Sequence, residues 1–238
     1  MMLFLLESVA RAEEATGGGF TMGEIWAHSG LVARIVIAIL VAMFLASVFT
    51  FIERLIAFNR ARNQSIQVAM EVVKPMQEGD LAAALKVTQA EHLKASYLAA
   101  LLRAGLRELV ERTDDDGVAN AGSAVAKTHA EEMAKMRRGM TILATTGSTA
   151  PFVGLFGTTF GVINAFQGMA TAGSGLASIS AGISEALITT GVGIGVAVIG
   201  VWFFNYFTFR AEKVGDELGS AESDFLNWAH KLVQARAG

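Results

Sequence analysis

The chain has no cysteine. Disulfide frameworks, thiol nucleophiles and zinc sites built on thiolates are therefore excluded. Charge is scarce as well: 17% of its 238 residues are Asp, Glu, Lys or Arg, against about 25% in an ordinary soluble domain. A formal net charge of −3 offers no electrostatic footprint for nucleic acid. The four histidines, His28, His92, His129 and His230, are too scattered for metal-ligand spacing. Proline occurs only at Pro75 and Pro151, so helices meet few breaks. The sharpest absence is local. From Gly139 to Phe209 there is no Lys, no Arg and no Asp, and only one Glu, Glu185.

Apolar residues fill the space that charge leaves. The chain is 53% hydrophobic with a mean hydropathy of +0.46, and a run of ~20 apolar residues is enough to cross a bilayer as a helix. These values predict an all-α integral membrane protein. The opening "MMLFLLESVARAEEATGGG" has an apolar core of Met1–Leu6 that Glu7 interrupts, with no cation before it. It is expected to be a short amphipathic segment at the membrane surface rather than a cleaved signal. Leu31 to Ile52 then forms a first span, with Arg34 near its start and able to snorkel to the interface.

Residues 53–138 are polar and read as helices with punctuation. Pro75 is expected to help end one helix, and Gly79-Asp80 to stop it and cap the next, which begins "LAAALKV". "TDDDG", Thr113–Gly117, lacks the alternating ligands and closing Glu of a calcium loop and reads as a solvated turn. From Val118 to Arg138 a helical pattern is expected to run straight into the next apolar stretch.

The neutral stretch is too long for one crossing, and "MATAGSG" is its natural break. The expected division is an external N-terminal segment (1–30), a first span (31–52), a cytoplasmic helical region (53–138), a second span (139–169), an external turn (170–175), a third span (176–209) and a cytoplasmic C-terminal helix (210–238). Arg54, Arg60, Arg62, Lys135, Arg137, Arg138, Arg210 and Lys213 flank the inner ends, and the turn has no cation. The positive-inside rule therefore puts the N-terminus outside and the C-terminus in the cytoplasm.

Spans two and three are rich in Gly, Ala, Ser and Thr rather than Leu and Phe. Gly157 and Gly161, and again Gly191 and Gly195, are spaced for close helix approach, within one subunit or between subunits. Pro151 is expected to kink span two near Thr146 and Gly147. Glu185 is costly where it stands: a charge at the bilayer centre costs about 2.5–3.5 kcal/mol on insertion scales. A watery ion path makes that cost tolerable; a structural bond to a neighbouring helix and an interfacial position near the outer end of the span are the alternatives. Ser178, Glu185 and Thr189 fall near one helical face, whereas Thr190 lies about 140° from Glu185 on a straight helix. Irregular winding at Gly191 and Gly193 is the expected way to bring both to one place.

"APFVGLFGTTFGVINAF" (Ala150–Phe166) and "GISEALITTGVGIGVAV" (Gly182–Val198) followed by "FFN" (Phe203–Asn205) resemble the second- and third-span motifs of the MotA/TolQ/ExbB family of ion-channel motor subunits. "GDLAAALKV" (Gly79–Val87) is similar to an element of that family's cytoplasmic loop, and three spans rather than four match the ExbB/TolQ branch. The resemblance implies a homo-pentameric ring, with spans two and three around a central pore. It also implies a dimeric, single-span partner of the ExbD/TolR kind, whose intramembrane Asp carries the ion. The setting is the bacterial inner membrane, and no cofactor or enzymatic activity is implied. Motif by motif, Thr158 and Thr190 fall on the polar pore residues and Glu185 on the third-span carboxylate. Two departures stand out: Ile199 replaces a usual Pro and Phe204 a usual Tyr. Thr189, beside Thr190, matches sodium-type members and leaves H+ and Na+ as rival driving ions, with H+ expected. A non-conducting scaffold for a partner protein is the reading from a different functional class.

Overall fold

The computed structural model describes residues 30–172 and 176–237, and within these the side chains of 169–172, 176–179, 181 and 237 are not described. The amphipathic segment expected before residue 30 and residues 173–175 of the expected turn lie outside this set. Among the described residues every regular element is helical: α1 (Leu31–Gln77), α2 (Leu81–Thr88), a short 3₁₀ turn (Glu91–Leu93), α3 (Tyr97–Glu111), α4 (Asp115–Met136), α5 (Met140–Ala172) and α6 (Leu176–Ala237). Three of these helices are long and apolar enough to cross a membrane: α1, Met140–Gly168 of α5 and Gly182–Arg236 of α6.

Local chemistry sets the helix ends. Pro75 lies inside α1, which continues to Gln77, so it does not end the helix as expected. Gly79 does: its φ of +69° suits a residue without Cβ, and its N–H closes on Met76 O at 3.2 Å. Asp80 then caps α2 through Oδ1, which accepts from Ala83 N at 2.9 Å. "TDDDG" is a helix start rather than a solvated turn. Asp114 caps α4 by accepting from Gly117 N at 2.8 Å, and Asp115 and Asp116 occupy the first turn, where the helix dipole favours carboxylates. The Arg112 guanidinium, followed by the Gly117 amide, holds the Asp114 carboxyl below the usual carboxylate range. Helix α4 does not run into the apolar stretch either. It stops at Met136, and Gly139, at φ +78°, turns the chain before α5.

The chain divides into two compact units. One contains residues 44–148 and 198–238. Its core takes Phe58, Val68 and Val72 from α1, Leu101 and Leu106 from α3, and Phe207, Leu218 and Phe225 from α6. Val68 and Val72, Leu102, Leu106 and Leu109, and Ala211, Val214 and Leu218 recur in this core at the three- and four-residue spacing of a helix face turned inward. Phe51 stacks on Phe203 with ring centres 4.0 Å apart. Tyr97 is buried, and its hydroxyl donates to the Glu217 carboxylate; burial first, then Glu217, pushes the phenol above its ordinary range. The other unit contains residues 1–43 and 149–197 and carries the candidate site.

Candidate functional site

The site begins with glycine. In the second unit α5 and α6 meet through small residues, at distances where a Cβ does not fit. A methyl at Gly154 would stand 2.8 Å from Thr189 O, one at Gly161 would stand 2.8 Å from Ala186 Cβ, and one at Gly193 would stand 2.7 Å from Ala150 O. This backbone approach decides which side of α6 faces α5 and which side is left over. Gly191 and Gly195 are on the side left over, where an added Cβ meets nothing within 4 Å. Of the two spaced pairs, Gly157 and Gly161 pack within the subunit, and Gly191 and Gly195 do not.

Thr189 faces α5. It is fully buried, its hydroxyl donates to Ala186 O at 2.7 Å, and it lies 3.4 Å from Gly154 O. A methyl on Gly157 would come within 2.8 Å of that hydroxyl oxygen. Thr190 is the next residue, about 100° further round the helix. Its Oγ1 is buried and has no hydrogen-bond partner among the described residues. An unmatched buried hydroxyl costs about 1–3 kcal/mol. The Ala186 carbonyl, four residues back and the usual acceptor for such a side chain, already receives Thr189.

Thr158, on α5, is half-buried and donates to Leu155 O at 2.7 Å. Thr159 is exposed and shares that acceptor at 3.0 Å. Glu185 is half-buried, and its Oε1 accepts from the backbone N–H of Gly30 at 3.0 Å. The lone carboxylate is thus bonded to the residue that precedes α1. That partner lies 155 positions away along the chain, and a backbone amide leaves no mark in a side-chain pattern.

Among the described residues no hydrogen bond joins Glu185, Thr158, Thr189 and Thr190 to one another. Helix α6 is continuous through Gly191 and Gly193, so the expected irregular winding is absent and Thr190 stays on a different face from Glu185. Helix α5 likewise continues through Pro151, whose ring nitrogen leaves the Gly147 carbonyl without its usual donor. Ser178 lies among the residues whose side chains are not described.

The model of the MotA/TolQ/ExbB proton channel family matches residues 93–219. The Tol-Pal system protein TolQ of Pseudomonas aeruginosa is 34% identical over 140 residues, 56% of this chain and 61% of that protein, so the alignment spans less than two thirds of that relative. The biopolymer transport protein ExbB of Salmonella typhimurium is 30% identical over 229 residues, 89% of this chain and 85% of that protein. ExbB of Xanthomonas campestris pv. campestris is 42% identical over 102 residues, 42% of this chain and 38% of that protein.

Proposed function

The chain belongs to the MotA/TolQ/ExbB proton channel family, and from that membership we propose that it is the ring-forming subunit of a proton-driven motor in the bacterial inner membrane. It is a multi-pass helical membrane protein of the ExbB/TolQ branch. In this reading five copies surround a dimeric, ExbD/TolR-like single-span partner, whose intramembrane Asp carries the proton. Ion flow then drives mechanical work on the envelope, whether outer-membrane transport, envelope maintenance or gliding. Residues 31–52, 139–169 and 176–209 are the spans, with the N-terminus outside and residues 53–138 and 210–238 in the cytoplasm.

The observation that carries the reading is Thr190. A buried hydroxyl with no partner among the described residues, five positions from the only carboxylate in a long neutral stretch, suits a group that meets its partner in the assembly. Thr158 and Glu185 complete the path. Gly191 and Gly195 offer a face where an added Cβ meets none of the described residues within 4 Å, which suits close approach by a neighbouring copy or the partner helix. The state of Thr189 favours H+ over Na+. A sodium ion needs several oxygen ligands, and the Thr189 oxygen is sealed inside the subunit.

In cells, Glu185→Ala and Thr158→Ala are expected to abolish energised work while the ring still assembles. Full activity in both variants contradicts the ion-path assignment. Work that continues under a protonophore but stops without sodium replaces H+ by Na+, and work that survives loss of both gradients makes the protein a scaffold.

A further inference from the structure

We propose that Gly30 is a positioning residue for Glu185, acting through its backbone N–H, so that the start of α1 is part of the site. This rests on the reading of Glu185 as an ion-path group and adds the element that holds it. Gly30 O accepts from Arg34 N at 3.1 Å, the first bond of α1, which makes Gly30 the N-cap. The N–H of an N-cap has no acceptor within its own helix. Here it meets Glu185 Oε1 at 3.0 Å. The positive end of the α1 dipole stands at the same point and favours an anion there. The bond fixes one oxygen of the carboxyl, and Oε2 has no hydrogen-bond partner among the described residues. One oxygen is anchored at the start of α1, and the other is left open towards the ion path.

The bond can be removed from either end with little disturbance. A methyl at Gly30 reaches only Asn164 Nδ2, at an ordinary 3.8 Å. Gly30 is not among the described glycines of positive φ, which are Gly79 and Gly139. Alanine therefore fits and keeps the N–H. Proline removes the N–H and is tolerated at helix starts.

The test uses the full chain reconstituted in lipid, with no partner required. Its first readout is the infrared carboxylate band of Glu185, identified as the one lost in Glu185→Gln. Gly30→Pro is expected to shift that band and Gly30→Ala to restore it to the native position. The second readout, from the other end, is exchange of the Gly30 amide with deuterium. Glu185→Ala is expected to speed it roughly tenfold, the size of one charge-assisted hydrogen bond. A band that stays in place in Gly30→Pro, or moves equally in both variants, overturns the proposal, as does an unchanged exchange rate. Full energised work in Glu185→Ala would instead remove the ion-path reading while leaving the bond itself to these two measurements.

Discussion

Residues Thr189 and Thr190 are adjacent and chemically identical, yet their environments are opposite. Thr189 is bonded and sealed against α5, whereas the Thr190 hydroxyl is buried without a partner. Substituting each by valine, which keeps the shape and removes the oxygen, separates the two roles. Thr190→Val deletes an unsatisfied polar group, so the thermal midpoint is expected to hold or rise, by up to about 1 kcal/mol of stability, while energised work is lost. Thr189→Val deletes a made bond and is expected to lower stability by about 1 kcal/mol while leaving the driving ion unchanged. A change in sodium dependence in Thr189→Val would return that residue to the ion path. The pair was legible in the sequence, and so was the angle between its members. Which member turns inward was not, because that depends on glycines of a different helix coming within contact of α6.

At the scale of elements, helix identity was plain from hydropathy and the scarcity of Pro, while several boundaries were not. Gly79-Asp80 was readable because both residues act locally. Pro75 misled because a proline near a helix end costs only one bond, and α1 runs on past it through Met76, which packs against the core, to Gln77. Three consecutive aspartates looked like a solvated loop, although the first caps a helix and the next two lie in its first turn. The close pairing of α5 and α6 leads to a paired prediction. Gly154→Val puts side-chain atoms where Thr189 O and the Thr190 Cα stand at 2.8 and 3.0 Å, and it is expected to unfold the helix pair, seen as loss of stably inserted protein. Gly191→Val meets open space. It is expected to leave the single chain folded and to impair assembly, seen as a shift from ring to monomer in size analysis. Equal loss of inserted protein in both variants would place Gly191 inside the subunit fold.

For the whole molecule, the arrangement across the membrane follows from where cations are affordable. Each Lys or Arg left at the centre of the hydrocarbon costs about 2.5–3.5 kcal/mol on insertion scales, and short loops rich in them stay in the cytoplasm. Arg54, Arg60, Arg62, Lys135, Arg137, Arg138, Arg210 and Lys213 all belong to the unit of residues 44–148 and 198–238, while residues 149–197 have none. Several of these cations are fixed by local partners: Arg54 reaches Glu53 and Lys135 O, and Arg210 bonds Asn59 at 2.8 Å and lies over the Tyr206 ring. A single inversion of the chain would carry the whole set to the outside, so orientation is all-or-none. The absence of cysteine makes this directly measurable. In intact cells, a membrane-impermeant maleimide is expected to label Ser174→Cys, between α5 and α6, and to leave Ser123→Cys on α4 and Lys213→Cys on α6 unlabelled until the membrane is opened. The reverse pattern would invert the protein. Labelling of Ser123→Cys without Lys213→Cys would mean that the two ends of the charged unit lie on opposite sides, which no arrangement of three spans allows.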